Sequence, residues 1–405
     1  MVELLDLVAR WIHVIAAVMW VGNSMLFNWL DRSLRPRAGD ADVYGDIWLI
    51  HSGGFYLVEK NKGERTADGR RTLPAPLHWF KWQAYTTWIT GAALLVIVYY
   101  AGGRALLVDP QRSAISFQAG VVVAVGTIAG AFVLYETIWR SIGARAPRVA
   151  GAISVVLLVA AIELLLSRLS GRAAFLHTGA MLATLMAGNV VFTIMPSQRE
   201  LVAALAAGRE PSQAIADRAK TRSIHNNYFT FPVIILMMSA HFPSLYAGRG
   251  DLALFTIIAG GAAIRHALNI RFTYAAWKPA LATAIAATAG LLIVATQPAR
   301  STSAAAVAPP SQPVTFADVH RIIDRRCAAC HSATPSDVSL GVTPAGVAFD
   351  SPAQIAALVP RIRERAVVTR TMPPGNKTRM TDAERATLAA WIDAGARIPA
   401  DQLPR

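Results

Sequence analysis

A helix needs about 20 mostly apolar residues to cross the hydrocarbon core of a bilayer, and eight stretches of this chain reach or nearly reach that length. They run roughly from Leu4 to Leu30, Leu77 to Ala101, Phe117 to Trp139, Val149 to Leu169, Ala173 to Met195, Tyr228 to Tyr246, Leu252 to Tyr274 and Pro279 to Thr296. The sixth, FTFPVIILMMSAHFPSLY, is broken by two prolines and a histidine, so a kink is expected there. Hydrophobic residues make up 54 % of the chain and charged ones 16 %, too apolar for a soluble domain of this length. The expected fold class is therefore all-α: a polytopic membrane helical bundle of about eight spans, covering residues 1–296. Gly126 and Gly130, in GTIAG, predict a close helix–helix approach.

Loop charge orients the bundle. The first loop holds Arg32, Arg35, Arg37, Lys60, Lys62, Arg65, Arg70 and Arg71, the third Arg140, Arg145 and Arg148, and the fifth Arg199, Arg209, Arg218, Lys220 and Arg222. The second, fourth and sixth hold only Arg104 and Arg112, Arg168 and Arg172, and Arg249. Basic loops stay cytoplasmic, which puts both termini outside. The same clustering accounts for the formal charge of +14 without nucleic acid. MVELLD lacks a basic n-region, so the first span is expected to be retained. Within the first loop, the FYLVEK run beside a Gly-rich turn predicts a short hairpin.

After the last span, residues 297–314 form an Ala/Ser/Pro-rich linker, and residues 315–405 read as a compact helical unit. TFADVHRIIDRRCAACH opens with a Thr315–Asp318 cap pattern and an apolar face at Phe316, Val319, Ile322 and Ile323; a second helix opens with the capping box Thr381–Glu384. The chain's two cysteines sit in CAACH, the spacing that attaches c-type haem. Cys327 and Cys330 would form the thioethers and His331 would be the proximal iron ligand; a soft sixth ligand is expected at Met372, with Met380 second. Zinc would need about four ligands, and a dithiol redox centre wants a βαβ context. CAACH, the Met-Pro-Pro run and the Trp391 helix together resemble the mono-haem cytochrome c fold. That family acquires its haem outside a bacterial inner membrane, in agreement with the charge argument for a periplasmic C-terminus.

Ionisable and amide side chains inside spans are costly and therefore informative. His13, His177 and His241 fall at one depth in the outer half. One reading is a non-covalent haem b held by imidazoles; the other is hydrogen bonding to neighbouring carbonyls. An inner set comprises Asn23, Asn28, Glu136, Asn189, Arg265, His266 and Asn269, with His78, His225, Asn226 and Asn227 at the helix ends. It reads either as a site for a flat or anionic small molecule with Arg265 as counter-charge, or as interhelical polar packing with Arg265 paired to Glu136.

RWIHVIAAVMWVGNSMLFNWLDR, LPAPLHWFKWQAYTTWITG and the tethered CAACH unit resemble the membrane-bound urate hydroxylases of the PuuD family over essentially the whole chain. The resemblance implies oxidation of urate to 5-hydroxyisourate, with electrons leaving through the c-type haem to a downstream cytochrome or terminal oxidase. Glu136, Arg265 and His266 are then the expected catalytic residues, and Asn23, Asn189 and Asn269 the expected substrate contacts, on the depth argument. The alternatives are a quinol-linked electron-transfer module and a HemJ-like porphyrinogen oxidase, since the His13–Gly22 pattern occurs there too.

Overall fold

The computed structural model describes residues 2–37, 39–40, 42–68, 70–101, 104–109, 112–297, 312–337 and 347–402. Seven helical segments among them are long and apolar enough to cross a membrane. They are built from α1 (Val2–Ser33), α2 (Trp82–Leu95), α4 (Phe117–Ser141), α5 (Pro147–Arg168), α6 (Gly171–Asn189) running on into α7 (Met195–Ala206), α10 (Gly250–Asn269) and α11 (Trp277–Thr296). Short π-helical turns follow α2 (Val96–Ala101) and α6 (Val190–Ile194), and α3 is the single turn Arg104–Leu107. The second span starts at Trp82 rather than Leu77, because the residues around Pro74 and Pro76 do not take up helix.

The expected sixth span departs furthest from its forecast. α8 (Gln213–Met238) begins fifteen residues before Tyr228, and its first half is too polar to count among the seven apolar segments. It lies antiparallel to α6–α7. Its early turns pack on α7, Asn226 meets Asn189, and Tyr246, in the short turn α9 (Ser244–Ala247) that follows, abuts Gly171 at the start of α6. Pro232 sits inside α8, where Gly261 of α10 approaches it closely.

The loops sort onto two faces. On one, Ser170 donates through its N–H and Oγ to the carbonyls of Leu107 and Leu106 (2.9 and 2.6 Å), Arg112 reaches the Tyr246 carbonyl, and the Arg249 N–H bonds the Ala295 carbonyl at the end of α11. On the other, α7 packs on β4 and the Arg70 side chain lies against Gly208. The second, fourth and sixth loops thus share a face with the end of α11, opposite the basic first and fifth.

The first loop carries two small sheets, a local exception to the all-α class. β1 (Val43–His51) pairs antiparallel with β2 (Gly54–Asn61), and β3 (Glu64–Arg65) with β4 (Arg71–Thr72). The FYLVEK run is β2, and its partner strand lies just upstream. Ser52 and Gly53 both take positive φ (51° and 75°), the two-residue turn whose twist suits a tight hairpin.

α6 is the central helix: Ala173, Phe175, His177, Met181, Leu182 and Asn189 are all buried, while α1 and α11 present mostly exposed apolar side chains, as lipid-facing helices do. Close approaches occur at Gly188, where an added Cβ would stand 2.3 Å from the Phe132 ring, and at Gly260 against Thr288. The GTIAG expectation is corrected here. Gly126 and Gly130 have open space around them, and Gly130 lines a mainly apolar cavity of about 340 Å³ between α4, α5 and α6.

The C-terminal unit is formed by α12 (Phe316–Arg326), α13 (Pro352–Ile362) and α14 (Asp382–Asp393) around Phe316, Val319, Ile323, Ile355, Leu388 and Trp391. Ile322 packs on the edge of this core. Thr315 and Thr381 form the two capping boxes read from sequence, and Ser351 forms a third with Gln354. Of the linker, residues 298–311 lie outside the described residues. The turn Pro374–Asn376 packs on α3, so the unit meets the bundle on the face where α11 ends.

Candidate functional site

The inner polar set is divided by α8 into two connected groups. The first joins α4, α6 and α8. Arg222 Nη2 donates to Glu136 Oε2 (2.8 Å), while Arg140 Nε donates to the other carboxylate oxygen (2.5 Å). Asn189 Nδ2 donates to Tyr135 Oη (3.1 Å) and to Asn226 Oδ1 (2.8 Å), and Tyr135 Oη lies 2.7 Å from His225 Nδ1. The Arg222 guanidinium stacks over the Tyr135 ring, 4.7 Å from its centroid. The second group joins α1, α8 and α10. Asn227 Oδ1 accepts from Arg265 Nε (3.0 Å) and Asn269 Nδ2 (2.8 Å), Asn28 Nδ2 donates to Asn269 Oδ1 (3.2 Å), and Tyr228 Oη lies 2.7 Å from His266 Nδ1.

Five of the six expected residues therefore fall in these groups: Glu136 and Asn189 in the first, Arg265, His266 and Asn269 in the second. Asn23 is half-buried on α1, outside both. The alternative pairing of Arg265 with Glu136 does not occur, because Arg222 and Arg140 occupy that carboxylate. Arg265 is 5 % exposed and has no carboxylate partner among the described residues. It is thus a buried cation suited to an anion brought from outside.

Arg222 was read as a topogenic loop charge and is instead 2 % exposed within α8. The signal was in the sequence: Arg222 and Asn226 are four residues apart, on one helical face. Tyr135 and Tyr228 carried no such signal, since a tyrosine inside a span looks like any aromatic.

Of the outer histidines, His13 Nδ1 donates to the Thr87 carbonyl (2.9 Å), which fixes the lone pair on Nε2. His177 is fully buried, its Nδ1 donates to the Ala173 carbonyl (2.8 Å), and its Nε2 is hydrogen-bonded to Tyr100 Oη (3.0 Å). His241 is exposed in the turn Ser239–His241. His13 and His177 thus make hydrogen bonds to carbonyls and to the hydroxyls of Thr90 and Tyr100.

In the C-terminal unit, Cys327 ends α12, with Cys330 and His331 in the turn behind it. His331 Nδ1 donates to the Val347 carbonyl (2.8 Å), leaving the Nε2 lone pair for a metal, the usual way a protein fixes a ligating imidazole. Phe349 packs edge-to-face on the ring. Burial pushes the Cys327 thiol up to about 12, and burial with the Asp337 carboxylate raises Cys330. Neither is poised as the low-pKa thiolate of a redox dithiol. Met380 is 1 % exposed within the apolar core, whereas Met372 is half-buried and outside it, which leaves Met372 as the thioether not committed to packing.

Arg385 tests whether a haem suits this unit. It is 2 % exposed, and its Nη1 donates to the Met372 carbonyl (2.9 Å) and to the Ala366 carbonyl. Its Nε and Nη2 are buried with no partner among the described residues, and burial pulls its pKa below the usual arginine range. A guanidinium beside Cys327 with two donors unspent is a receptor for a carboxylate, the group a porphyrin edge carries. The donor set fits covalent haem.

A family model described as urate oxidase N-terminal matches residues 1–297. No curated protein and no solved structure matches the chain. The matched region is the whole helical bundle and includes both polar groups, so the chain belongs to the urate oxidase N-terminal family.

Proposed function

We propose that this is a membrane-bound urate hydroxylase: it oxidises urate to 5-hydroxyisourate in the inner polar layer and exports the electrons through a c-type haem carried by the C-terminal unit. One observation carries the reading. Within a domain of the urate oxidase N-terminal family, two buried arginines meet one polar layer, and only Arg222 has a carboxylate partner; Arg265 has none among the described residues.

Urate plus water yields 5-hydroxyisourate, two protons and two electrons. Arg265 balances the urate anion, Glu136 or His266 takes a proton from the attacking water, and Asn23, Asn189 and Asn269 supply hydrogen bonds that orient the ring. Cys327, Cys330, His331 and Met372 would hold the haem, and Arg385 a propionate. A haem held there would supply one-electron redox chemistry, linking the oxidation of urate to a downstream cytochrome or terminal oxidase. No step is routed through a second haem, because His177 Nε2 is engaged by Tyr100 and His241 is exposed.

This reading makes α8 the eighth crossing. Its antiparallel run along α6–α7 supports that, and eight crossings put both termini on the periplasmic face of a bacterial inner membrane, where haem is attached. The test is urate turnover by membranes containing the full chain, with a one-electron acceptor supplied. 5-Hydroxyisourate should form, and Arg265→Ala should raise the urate KM at least about tenfold, the loss of one charge-assisted contact. Turnover with an unchanged KM moves the anion elsewhere.

A further inference from the structure

Two buried polar atoms in the α4–α6–α8 group have no partner among the described residues: Arg222 Nη1, a donor, and Asn189 Oδ1, an acceptor. Both side chains are more than nine-tenths buried, at 2 % and 0 % exposure. Leaving either unpaired costs free energy, and a charged donor more than a neutral one. Part of each side chain is already committed. Arg222 Nη2 holds Glu136, and Asn189 Nδ2 is shared by Tyr135 and Asn226, so neither side chain can turn to satisfy the orphan without breaking a bond already made.

The two side chains meet the same stretch of α8: Arg222 lies one helical turn before Asn226, and Asn226 accepts from Asn189. Both meet Tyr135: the guanidinium stacks on its ring and the amide bonds its hydroxyl. The π-helical turn Val190–Ile194 begins immediately after Asn189, and such turns frequently interrupt helices at functional positions.

We infer that Arg222 Nη1 and Asn189 Oδ1 together read the cis-amide edge of a planar lactam heterocycle, the arginine donating to its carbonyl oxygen and the asparagine accepting from the adjacent ring N–H. A carboxylate alone satisfies only the donor, and an amine only the acceptor. A lactam edge satisfies both, and it is flat enough to lie beside an aromatic ring. The inference rests on the urate reading and deepens it: Arg265 supplies charge balance for an anion, and the Arg222–Asn189 pair supplies the specificity for which ring system it is.

The experiment measures equilibrium binding to the purified full chain in detergent, with the haem held reduced so that no turnover occurs. The ligands are urate and its four mono-N-methyl derivatives. In the native protein, methylation of the N–H that is read should weaken binding about tenfold or more relative to urate, while methylation on the far edge changes it little. Asn189→Leu should bring those affinities to within about twofold of one another. Arg222→Lys keeps a cation for Glu136 and should weaken urate and all four derivatives together, by about tenfold. If Asn189→Leu reduces folded yield, Asn189→Thr serves, and loss of the methyl discrimination is again the expected result. Unchanged affinity and unchanged discrimination in these variants, with or without a lower thermal midpoint, overturns the inference and assigns both atoms to water and packing. If the native protein binds none of the urates at millimolar concentration, the urate reading fails on its own, and uracil, hydantoin and barbiturate decide this inference. Binding of any of them that Asn189→Leu removes sustains it, and binding of none overturns it.

Discussion

Arg222 in the bundle and Arg385 in the C-terminal unit are equally buried, each 2 % exposed, and their company differs. Arg222 has a carboxylate, Glu136, and an aromatic face beneath it. Arg385 has carbonyls, those of Ala366 and Met372, and no carboxylate within bonding distance among the described residues. A buried ion pair supplies its own counter-charge, and its disruption leaves a stranded charge. A buried cation held only by carbonyls is incomplete until an anion arrives. Arg222 thus already has its counter-charge, while Arg385 has none within bonding distance among the described residues.

The comparison can be broken at several points. Cys327→Ser with Cys330→Ser is expected to abolish covalent haem and to lower urate turnover with an electron carrier by more than about 100-fold, in line with removing an essential group. The thermal transition of the bundle should not move, and unaltered turnover would remove the C-terminal unit from the reaction. Arg222→Met should destabilise the bundle by about 3–5 kcal/mol, measured in detergent, because Glu136 is left with only the exposed Arg140. The haem-loaded Arg385→Met protein should keep its bundle stability and show a lower haem midpoint potential, since a buried positive charge near the iron favours the reduced state; an unchanged potential would break the parallel between the two arginines.

Smaller effects sharpen it. Gly188→Ala forces a methyl against Phe132 next to Asn189 and should cost about 1–3 kcal/mol by overpacking. At the C-terminal unit, burial would raise the Glu384 pKa, but the Thr381 N–H and Arg326 outweigh it and hold the carboxyl below its usual range. A depressed carboxylate contributes stability above its unfolded pKa and loses that contribution as pH falls through the folded value. Acid unfolding of the unit should therefore occur at higher pH than in Glu384→Gln at matched neutral stability, an effect of about 1 kcal/mol.

The C-terminal helix starts were legible because their signals are contiguous. The two threonine capping boxes are local patterns, and each forms where its spacing places it. The polar layer was legible only in part. Depth along each span selected Asn23, Glu136, Asn189, Arg265, His266 and Asn269, yet depth does not tell which helix faces which, so a pairing of Glu136 with Arg265 stood as one alternative where Glu136 faces Arg222. Arg222 itself was lost because hydropathy placed it in a loop; the first half of α8 is polar, with Gln213, Asp217, Arg218 and Lys220 exposed around the buried Arg222. Small residues misled for the same reason. Gly126-x-x-x-Gly130 has the spacing of a contact face, but the neighbour is absent there and present at Gly188 and Gly260. The hairpin was read from β2 alone, since β1 carries Gly45 and Asp46 at its start and looks like loop.

The claim that most needs testing is that electrons from urate reach the C-terminal haem. Purified, haem-loaded, air-oxidised full chain should be made anaerobic, mixed with urate and followed in the visible spectrum with no other acceptor present. The account predicts that the reduced c-type band appears, with two haems reduced for each 5-hydroxyisourate formed. A band that stays oxidised while urate is consumed only when oxygen is admitted, with hydrogen peroxide formed in equal amount, would contradict it.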